Sequence, residues 1–376
     1  MRIGFDAKRA YNNSTGLGNY SRLVLKSLFS FESQHDYRLY TPKIHHKYHD
    51  FLQGVSDVLP TLPESNLQRF LHPLWRSKGI VKQLQEDGIQ LYHGLSNELP
   101  MGLAEAGIKS VLTLHDLIFL RYPQYYPRID RLFYSKKFER SCQDADVIIA
   151  ISQQTANDIA HFYGIGEEKV SVVYQDCDPS FRMPISAEQI TAVRQYYTLP
   201  ETYLLSVGTI EARKNQLNLL RAYAKLGPNR PPLVIVGRKT AYFEALDEYI
   251  QSHRLQKEVL FLEKVAANDL PALYAGARAM AYVSQFEGFG LPLLEAMCTQ
   301  TPVLTSTSSC FAEVTGDAAL YVAPDELVAM TNALHDLIHN DSLHASLKAN
   351  CREQAARFSA QSMSHTLVDI YQKLLA

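Results

Sequence analysis

Two acidic residues, Glu287 and Glu295, flank the glycine-rich stretch Gly288-Phe289-Gly290-Leu291-Pro292. Glycine lets the backbone approach a ligand closely, and Pro292 suits the first position of a helix. Because an apolar run precedes this stretch, it predicts a helix N-terminus at the carboxyl end of a strand, where free amides favour an anion. Two carboxylates facing the same crevice would suit hydroxyl groups. Taken alone, Glu295 could equally be an ordinary first-turn acid stabilised by the helix dipole.

A basic pair, Arg213-Lys214, closes the segment Ser206–Asn215, which also contains Gly208. An arginine offers a rigid fork for phosphate oxygens and a lysine a mobile point charge. The pair is therefore suited to a diphosphate. The residues alone equally allow a solvated basic pair at the start of a helix, since these side chains are usually exposed.

The first half of the chain contains a short glycine pattern and a histidine at the end of an apolar run. Gly16 and Gly18 follow the opening apolar run, and His115 follows the run Ser110–Leu114. A lone Gly-x-Gly is a weak signal, and the rest of the dinucleotide fingerprint is missing. A lone histidine in such a place is more often structural than catalytic.

Apolar runs alternate with segments of helical period, which is typical of an α/β protein with parallel sheets. At 376 residues the chain is long enough for two domains. We expect an N-terminal domain over 1–178, a linker over 179–200 and a C-terminal domain over 201–357, with the helix at about 358–376 packing back on the first domain. The predicted strands are Arg2–Phe5, Tyr37–Tyr40, Leu91–His93, Ser110–Leu114, Val147–Ile151, Val170–Val173, Tyr203–Val207, Leu233–Val236, Val259–Leu262, Ala279–Val283, Pro302–Thr305 and Ala319–Val322.

Together, these motifs resemble the retaining glycosyltransferases of family four, and within them the mannosyltransferase-like group 1 enzymes. Glu-x7-Glu around Gly-Phe-Gly-Leu-Pro carries most of the resemblance, supported by Arg213-Lys214, His115 and the Gly16–Gly18 pattern. The resemblance implies the GT-B fold, in which two Rossmann-like domains face each other across a cleft that holds the active site. It also implies retaining, metal-independent transfer of a hexose in glycan or polysaccharide biosynthesis.

The resemblance assigns a role to each candidate residue. Arg213 and Lys214 would hold the donor diphosphate, Glu287 the transferred sugar and Glu295 the ribose. His115 would hydrogen-bond the transferred sugar. The remaining expected donor-binding residues are Gly16, Gly18, Gly208, Ser284, Gly288, Phe289, Gly290 and Leu291.

The donor is expected to be a GDP- or UDP-sugar, with no other cofactor. Asp6 together with His115 and the glycine pattern favours GDP-mannose, but Glu263 stands where relatives often have glycine near the base, which leaves guanosine and uridine open. The acceptor would be a glycan or a lipid-linked glycan. Two alternatives remain: a UDP-sugar 2-epimerase on the same fold and a non-catalytic subunit that binds a sugar nucleotide.

Three groups of residues have the types that bind metals, and we discount each. Asp144-Ala-Asp146 precedes a strand and suits a loop at the far edge of the sheet, and Asp176-Cys-Asp178 is a tripeptide common by chance. His45, His46 and His49 lack a clear fourth ligand. No metal site is therefore predicted.

Composition limits the partners and the compartment. The net charge of −2 argues against nucleic acid as a partner, and five scattered cysteines without a C-x-x-C pair suit a reducing cytoplasm. No apolar run reaches the roughly 18 residues that a membrane-spanning helix needs. Cationic and aromatic residues mix in Arg69–Lys78, which contains Phe70 and Trp75, and in Arg121–Arg140. This mixture would suit weak peripheral contact with the inner face of a membrane, and the alternative is that the two stretches are ordinary helix faces.

Overall fold

The computed structural model describes residues 1–65 and 69–376, apart from the side chain of His72. The chain divides into two compact units. The first unit contains residues 1–176 and 358–376, and the second contains residues 177–357. The expectation that the two face each other across a cleft stays a prediction.

The first unit is built on a parallel sheet of six strands in the order β2-β1-β3-β4-β5-β6. Val111 in β4 pairs with both His93 and Val147, so β4 lies inside the sheet. Strands covered on both faces by crossover helices are apolar throughout, which explains the uninterrupted runs in the sequence. The strands are β1 Arg2–Asp6, β2 Asp36–Tyr40, β3 Leu91–Gly94, β4 Lys109–Leu114, β5 Val147–Ala150 and β6 Val170–Val172.

Helices cover both faces of this sheet. The last helix of the chain also belongs to this unit, and its Tyr371 is fully buried. A π-helix, Trp75–Gly79, joins two short α-helices. The α-helices are α1 Lys8–Asn12, α2 Gly16–Phe31, α3 His72–Leu74, α4 Ile80–Glu86, α5 Ile118–Arg121, α6 Arg128–Asp144, α7 Gln153–Tyr163 and, at the end of the chain, α16 Ala360–Leu375.

The second unit repeats the architecture with the strand order β12-β11-β10-β7-β8-β9, again all parallel. Its strands are β7 Leu204–Val207, β8 Leu233–Val236, β9 Val259–Leu262, β10 Ala279–Tyr282, β11 Val303–Ser306 and β12 Ala319–Val322. Its helices are α8 Ala187–Tyr196, α9 Gln216–Ala224, α10 Phe243–Ser252, α11 Leu270–Ala275, α12 Leu291–Cys298, α13 Phe311–Thr315, α14 Leu327–His339 and α15 Asp341–Ala355.

The predicted α/β class is confirmed, and each of the twelve predicted strands is present with its ends within one residue. The stretch 179–200, expected to be a linker, instead contains the 3₁₀-helix Pro179–Arg182 and α8, and it lies in the second unit. The reason is local: Ser186 and Gln189 form a capping box that starts α8 immediately after the second proline. Among the described helices, none is long and apolar enough to cross a membrane.

Candidate active site

The basic pair lies in the connection between β7 and α9 of the second unit. Residues Ala212–Lys214 form one 3₁₀ turn, and Asn215 follows in the left-handed region at φ +61°. The Asn215 side-chain amide donates hydrogen bonds to the carbonyl oxygens of Val283 (3.1 Å) and Pro324 (2.6 Å). These bonds fix Arg213 and Lys214 against the segment that follows β10.

Glu287 forms ion pairs with both Arg213 and Lys214. One oxygen, Oε2, lies 2.8 Å from a guanidinium nitrogen of Arg213, and the other, Oε1, lies 2.6 Å from Nζ of Lys214. The Ser284 hydroxyl also donates to Oε1 at 2.6 Å, and Lys214 donates a second bond to the Tyr282 hydroxyl at 2.8 Å. The structure therefore brings together four residues that the sequence analysis named as candidates: Arg213, Lys214, Ser284 and Glu287.

The electrostatics of this cluster are dominated by the ion pairs. Burial alone would raise the pKa of Glu287, but the charges of Arg213 and Lys214 lower it to about 2. Glu287 and Glu211 raise the pKa of Arg213, against the effect of burial. Since Arg213 also pairs with Glu211 at 2.6 Å, two cations face two carboxylates. An anionic ligand would have to compete with Glu287 for these cations.

The glycine-rich stretch turns sharply into helix α12. Gly290 has φ +86°, and a Cβ there would lie 3.0 Å from Leu293 and 3.4 Å from Phe311, so only glycine fits. The helix begins at Leu291, which places Pro292 in the second helical position rather than the predicted first. Within the described chain no side chain caps this N-terminus. Residues 286–290, including Gly288 and Phe289, are buried.

Glu295, on α12, has an environment opposite to that of Glu287. Its Oε2 accepts a hydrogen bond from the Tyr274 hydroxyl at 2.8 Å. Burial raises the pKa of Glu295 to about 7, the charge of Asp178 adds to this effect and the Tyr274 bond opposes it. No contact among the described residues joins Glu295 to Glu287, so the prediction that both acids face one crevice stays a prediction.

Gly208 directly follows β7 and has φ +149°. A Cβ at this position would lie 3.7 Å from the Lys214 side chain, and a Cβ at Gly237 would lie 1.9 Å from the Gly208 carbonyl oxygen. The backbones of the two strand ends therefore approach each other closely. The positive φ, rather than the space beside Lys214, favours glycine at position 208.

His115 lies at the end of β4 in the first unit and is 6% exposed. Its Nε2 lies 2.9 Å from the Leu95 carbonyl oxygen, so Nε2 must carry the hydrogen and donate. Burial lowers the pKa of His115 to about 4. The ring is therefore neutral near pH 7, with Nδ1 as an acceptor, and no hydrogen bond to Nδ1 is found among the residues described.

The backbone of His115 is held by Asn97, whose side-chain oxygen accepts from the His115 amide at 2.8 Å. The ring of Tyr20, on α2, packs edge-on against the imidazole with centroids 4.6 Å apart. Because α2 begins at Gly16, the structure places the glycine pattern and His115 at one end of the same sheet.

Gly16 and Gly18 form the first turn of α2. A Cβ on Gly18 would lie 2.0 Å from the Asn13 carbonyl oxygen, whereas a Cβ on Gly16 would meet nothing within 4 Å. The Asn13 side chain accepts from the amides of Thr15 (2.8 Å) and Gly18 (3.3 Å) and so serves as the cap. Gly18 is required by this close approach.

The discounted metal motifs have structural partners. Asp146 accepts hydrogen bonds from the backbone and hydroxyl of Ser110, at the amino edge of the sheet, as predicted. Asp176 accepts from the Ala360 amide, and Asp178 caps the turn at Ser180. In the described part of the chain, no group of three or more acidic, histidine or cysteine residues is arranged to hold a metal ion.

Sequence reasoning missed four residues that shape the site: Tyr282, Asn215, Ser309 and Asn97. Ser309, at φ +68°, donates to the Glu287 carbonyl oxygen at 2.6 Å and accepts from the Glu287 amide at 3.0 Å. Asn215 could have been identified from the sequence, because it immediately follows the basic pair. The other three are ordinary residue types whose partners lie far away in the sequence.

Comparison with solved structures identifies the fold of this chain. Two solved structures cover nearly all of this chain at 19% identity and a TM-score of 0.79: Anabaena HepE in complex with UDP and glucose (99% of this chain, 100% of the other) and sucrose-phosphate synthase from Thermosynechococcus elongatus (100% and 99%). The fold is that of the GT-B glycosyltransferases.

The family follows from the sequence matches. Residues 21–181 match the model for Glycosyltransferase Family 4, and residues 194–356 match the model for Glycosyl transferases group 1. The chain belongs to the glycosyltransferases of family four, which confirms the predicted family.

Relatives include proteins named mannosyltransferases, two of them O-antigen chain mannosyltransferases. O-antigen chain mannosyltransferase B of Escherichia coli is 28% identical over 390 residues, covering 100% of each chain. O-antigen chain mannosyltransferase RfbU of Salmonella typhimurium is 29% identical over 226 residues, 60% of each. The serotype-specific mannosyltransferase WbdA of Escherichia coli matches 76% of this chain, but this match covers only 36% of WbdA.

Proposed function

We propose that this glycosyltransferase transfers a hexose from a nucleotide diphosphate sugar with retention of the anomeric configuration. The observation that carries the proposal is the cluster of Arg213, Lys214 and Glu287 beyond the carboxyl ends of β7 and β10. In open parallel sheets, ligands bind outside the carboxyl ends of the strands. A guanidinium, an ammonium and a carboxylate at this edge of the sheet suit a diphosphate joined to a sugar.

The donor diphosphate would take over the two cations. Arg213 and Lys214 are held by Glu287 within 2.8 Å, and each side chain is less than 15% exposed. When the diphosphate arrives, it exchanges with the carboxylate, and Glu287 turns its oxygens to the sugar hydroxyls. Charges in such a dry site stabilise the leaving diphosphate strongly. The uncapped start of α12 at Leu291 adds backbone amides to the same anion.

We favour front-face displacement. The acceptor oxygen bonds to the anomeric carbon, the bond from that carbon to the diphosphate oxygen breaks, and a phosphate oxygen takes the acceptor's proton. Glu295 accepts a hydrogen bond from Tyr274, and Glu287 is assigned to the sugar hydroxyls once the diphosphate has taken its cations, so neither acid is assigned as a covalent nucleophile. His115 accepts a hydrogen bond from the transferred sugar at Nδ1, and Glu295 binds the ribose.

The favoured donor is GDP-mannose. Three relatives are named mannosyltransferases, whereas HepE was solved with UDP and glucose, so the base needs its own test. We propose that the transfer needs no metal, since Arg213 and Lys214 supply the positive charge. Full activity in EDTA is the expected result, and loss of activity that only Mg²⁺ restores would contradict this part.

The acceptor is a glycan or a lipid-linked glycan, and the enzyme works in the cytoplasm at a membrane surface. Phe70, Ile129 and Leu132 are 82%, 80% and 67% exposed, which supports a weak contact with lipid. Trp75, counted in the sequence as part of this surface, is buried at 3% and is not available for it. If the protein does not sediment with anionic vesicles at low salt, the proposed membrane contact is wrong.

Lys214→Ala and Glu287→Ala test the assignment, with the exposed Lys225→Ala as the matched control. We expect the first two variants to remain folded and to lose a few orders of magnitude in turnover, as for a preorganised contact worth about 3–4 kcal/mol. Turnover is measured as nucleotide release that depends on acceptor. Near-normal rates in both variants would refute the site.

Thermal shifts with GDP, UDP, GDP-mannose and UDP-glucose identify the donor, because a ligand that binds the native state raises its melting temperature. NMR of the product then gives the anomeric configuration. Epimers formed without consumption of acceptor would indicate a 2-epimerase. Binding without turnover would indicate a non-catalytic subunit.

A further inference from the structure

The first unit contains a pocket of about 560 Å³ that the proposed donor chemistry does not use. It lies beside the end of β1, the π-helix and the middle of α6. Its floor is ionic: Arg76 pairs with both Asp6 and Glu98, and Lys137 lies 2.8 Å from Glu98. Two positive and two negative charges therefore balance at the floor.

The walls of the pocket add positive charge. Lys8, Lys136 and Arg140 all line it. Arg140 is 3.5 Å from Asp144, but Lys8 and Lys136 form no ion pair with any residue that the structure describes. Burial and the Arg76 charge lower the pKa of Lys8, and the charges of Glu98 and Asp6 offset this only in part. The pocket as a whole carries an excess of positive charge suited to an anion with more than one negative oxygen.

The mouth of the pocket is apolar. Leu74 and Phe133 both line it, and each is 63% exposed. Ile129 and Leu132, four residues and one residue before Phe133 on α6, extend this exposed surface at 80% and 67%. Exposed apolar side chains at the rim of a cationic pocket favour a ligand with a charged head and an apolar chain.

We propose that this pocket binds a phosphate or diphosphate group attached to an apolar chain, and that this group is the lipid end of a lipid-linked acceptor. The head lies against Lys8 and Lys136, and the chain leaves between Leu74 and Phe133. This inference rests on the proposed function, because it names the class of acceptor for the transfer.

The test uses calorimetric titration of the full chain with decyl phosphate, decanol and inorganic phosphate. We expect decyl phosphate to bind at least tenfold more tightly than either of the others. The double variant Lys8→Ala/Lys136→Ala should weaken its binding at least tenfold, and Leu74→Ser/Phe133→Ser should reduce its affinity to that of inorganic phosphate.

Two matched controls, Lys26→Ala and Val328→Ser, remove an exposed lysine and an exposed valine (65%) elsewhere and should change nothing. Equal binding of inorganic phosphate and decyl phosphate would overturn the role of the apolar mouth. Unchanged binding in the lysine variant would overturn the site.

Two further measurements separate the sources of the phosphate and the two proposals. If the pocket takes the acceptor, the lysine variant sediments with anionic phospholipid vesicles like the native protein; loss of sedimentation would assign the pocket to bulk lipid and overturn the inference. The GDP-induced thermal shift should persist in the lysine variant. Absence of any nucleotide shift in the native protein would refute the donor site instead and leave the decyl phosphate result to stand separately.

Discussion

Glu295→Gln should stabilise the protein above neutral pH and have progressively less effect as the pH falls. Burial raises the pKa of Glu295 to about 7 from an ordinary 4.5. The folded state therefore keeps a proton that the unfolded state releases between these values, and stability falls as the pH rises through this window. Glutamine is neutral throughout and escapes this loss.

The difference between 4.5 and about 7 corresponds to about 3 kcal/mol once the pH is well above 7. At about pH 5.5 the native protein has already lost part of this free energy of unfolding, because the unfolded state has begun to release its proton. Between about pH 5.5 and pH 8.5, the free energy of unfolding of Glu295→Gln should gain about 2 kcal/mol on that of the native protein. Because the two proteins are compared across pH, any constant difference in stability between a glutamine and a protonated glutamate cancels.

Urea unfolding followed by circular dichroism measures this trend. Tryptophan fluorescence does not suit the purpose, because the single tryptophan, Trp75, lies in the first unit. The control is Glu244→Gln, an exposed residue on α10, for which no trend is expected. A pH-independent difference between Glu295→Gln and the native protein would refute the buried, proton-binding carboxyl and the environment described for it.

Three further sets of substitutions make separate predictions. Glu287→Gln should destabilise the protein at pH 7 by about 3 kcal/mol, and the loss should vanish as the pH falls from 4.5 toward 2, since its pKa is lowered; urea unfolding against pH shows this. Gly18→Ala should cost about 1–3 kcal/mol because its Cβ would meet Asn13, whereas Gly16→Ala should not lower the melting temperature. Asn215→Ala should lose about 3 kcal/mol in unfolding free energy, and Asn215→Gly less, because glycine relieves the positive φ.

The strands were predictable because a parallel strand that is buried on both faces needs a continuous apolar run, and such runs are visible locally. β8 and β9 match their predicted bounds, and β11 is displaced by one residue because Pro302 has no amide to donate to the ladder. The stretch 179–200 could not be assigned in the same way. Prolines mark an interruption, but whether the following helix packs on the second unit depends on contacts distant in sequence.

The candidate site was only partly predictable. The motifs identified Arg213, Lys214 and Glu287, but their mutual ion pairing depends on a contact across more than seventy residues. The opposite pKa shifts of Glu287 and Glu295 follow from neighbours such as Tyr274 that no spacing rule indicates. Composition suggested a lipid-facing Trp75, yet its ring fills the core, since helix pattern alone does not decide which face is covered.

Because the first unit includes α16, its folding cannot finish before the whole second unit has been synthesised. Tyr371 on α16 bonds His93 of β3 at 2.6 Å and packs against Phe5 of β1. Until that helix leaves the ribosome, the sheet that carries His115 lacks one of its covering helices, while residues 177–357 are already complete. We expect residues 177–357 to become resistant to protease on stalled chains before the first unit does.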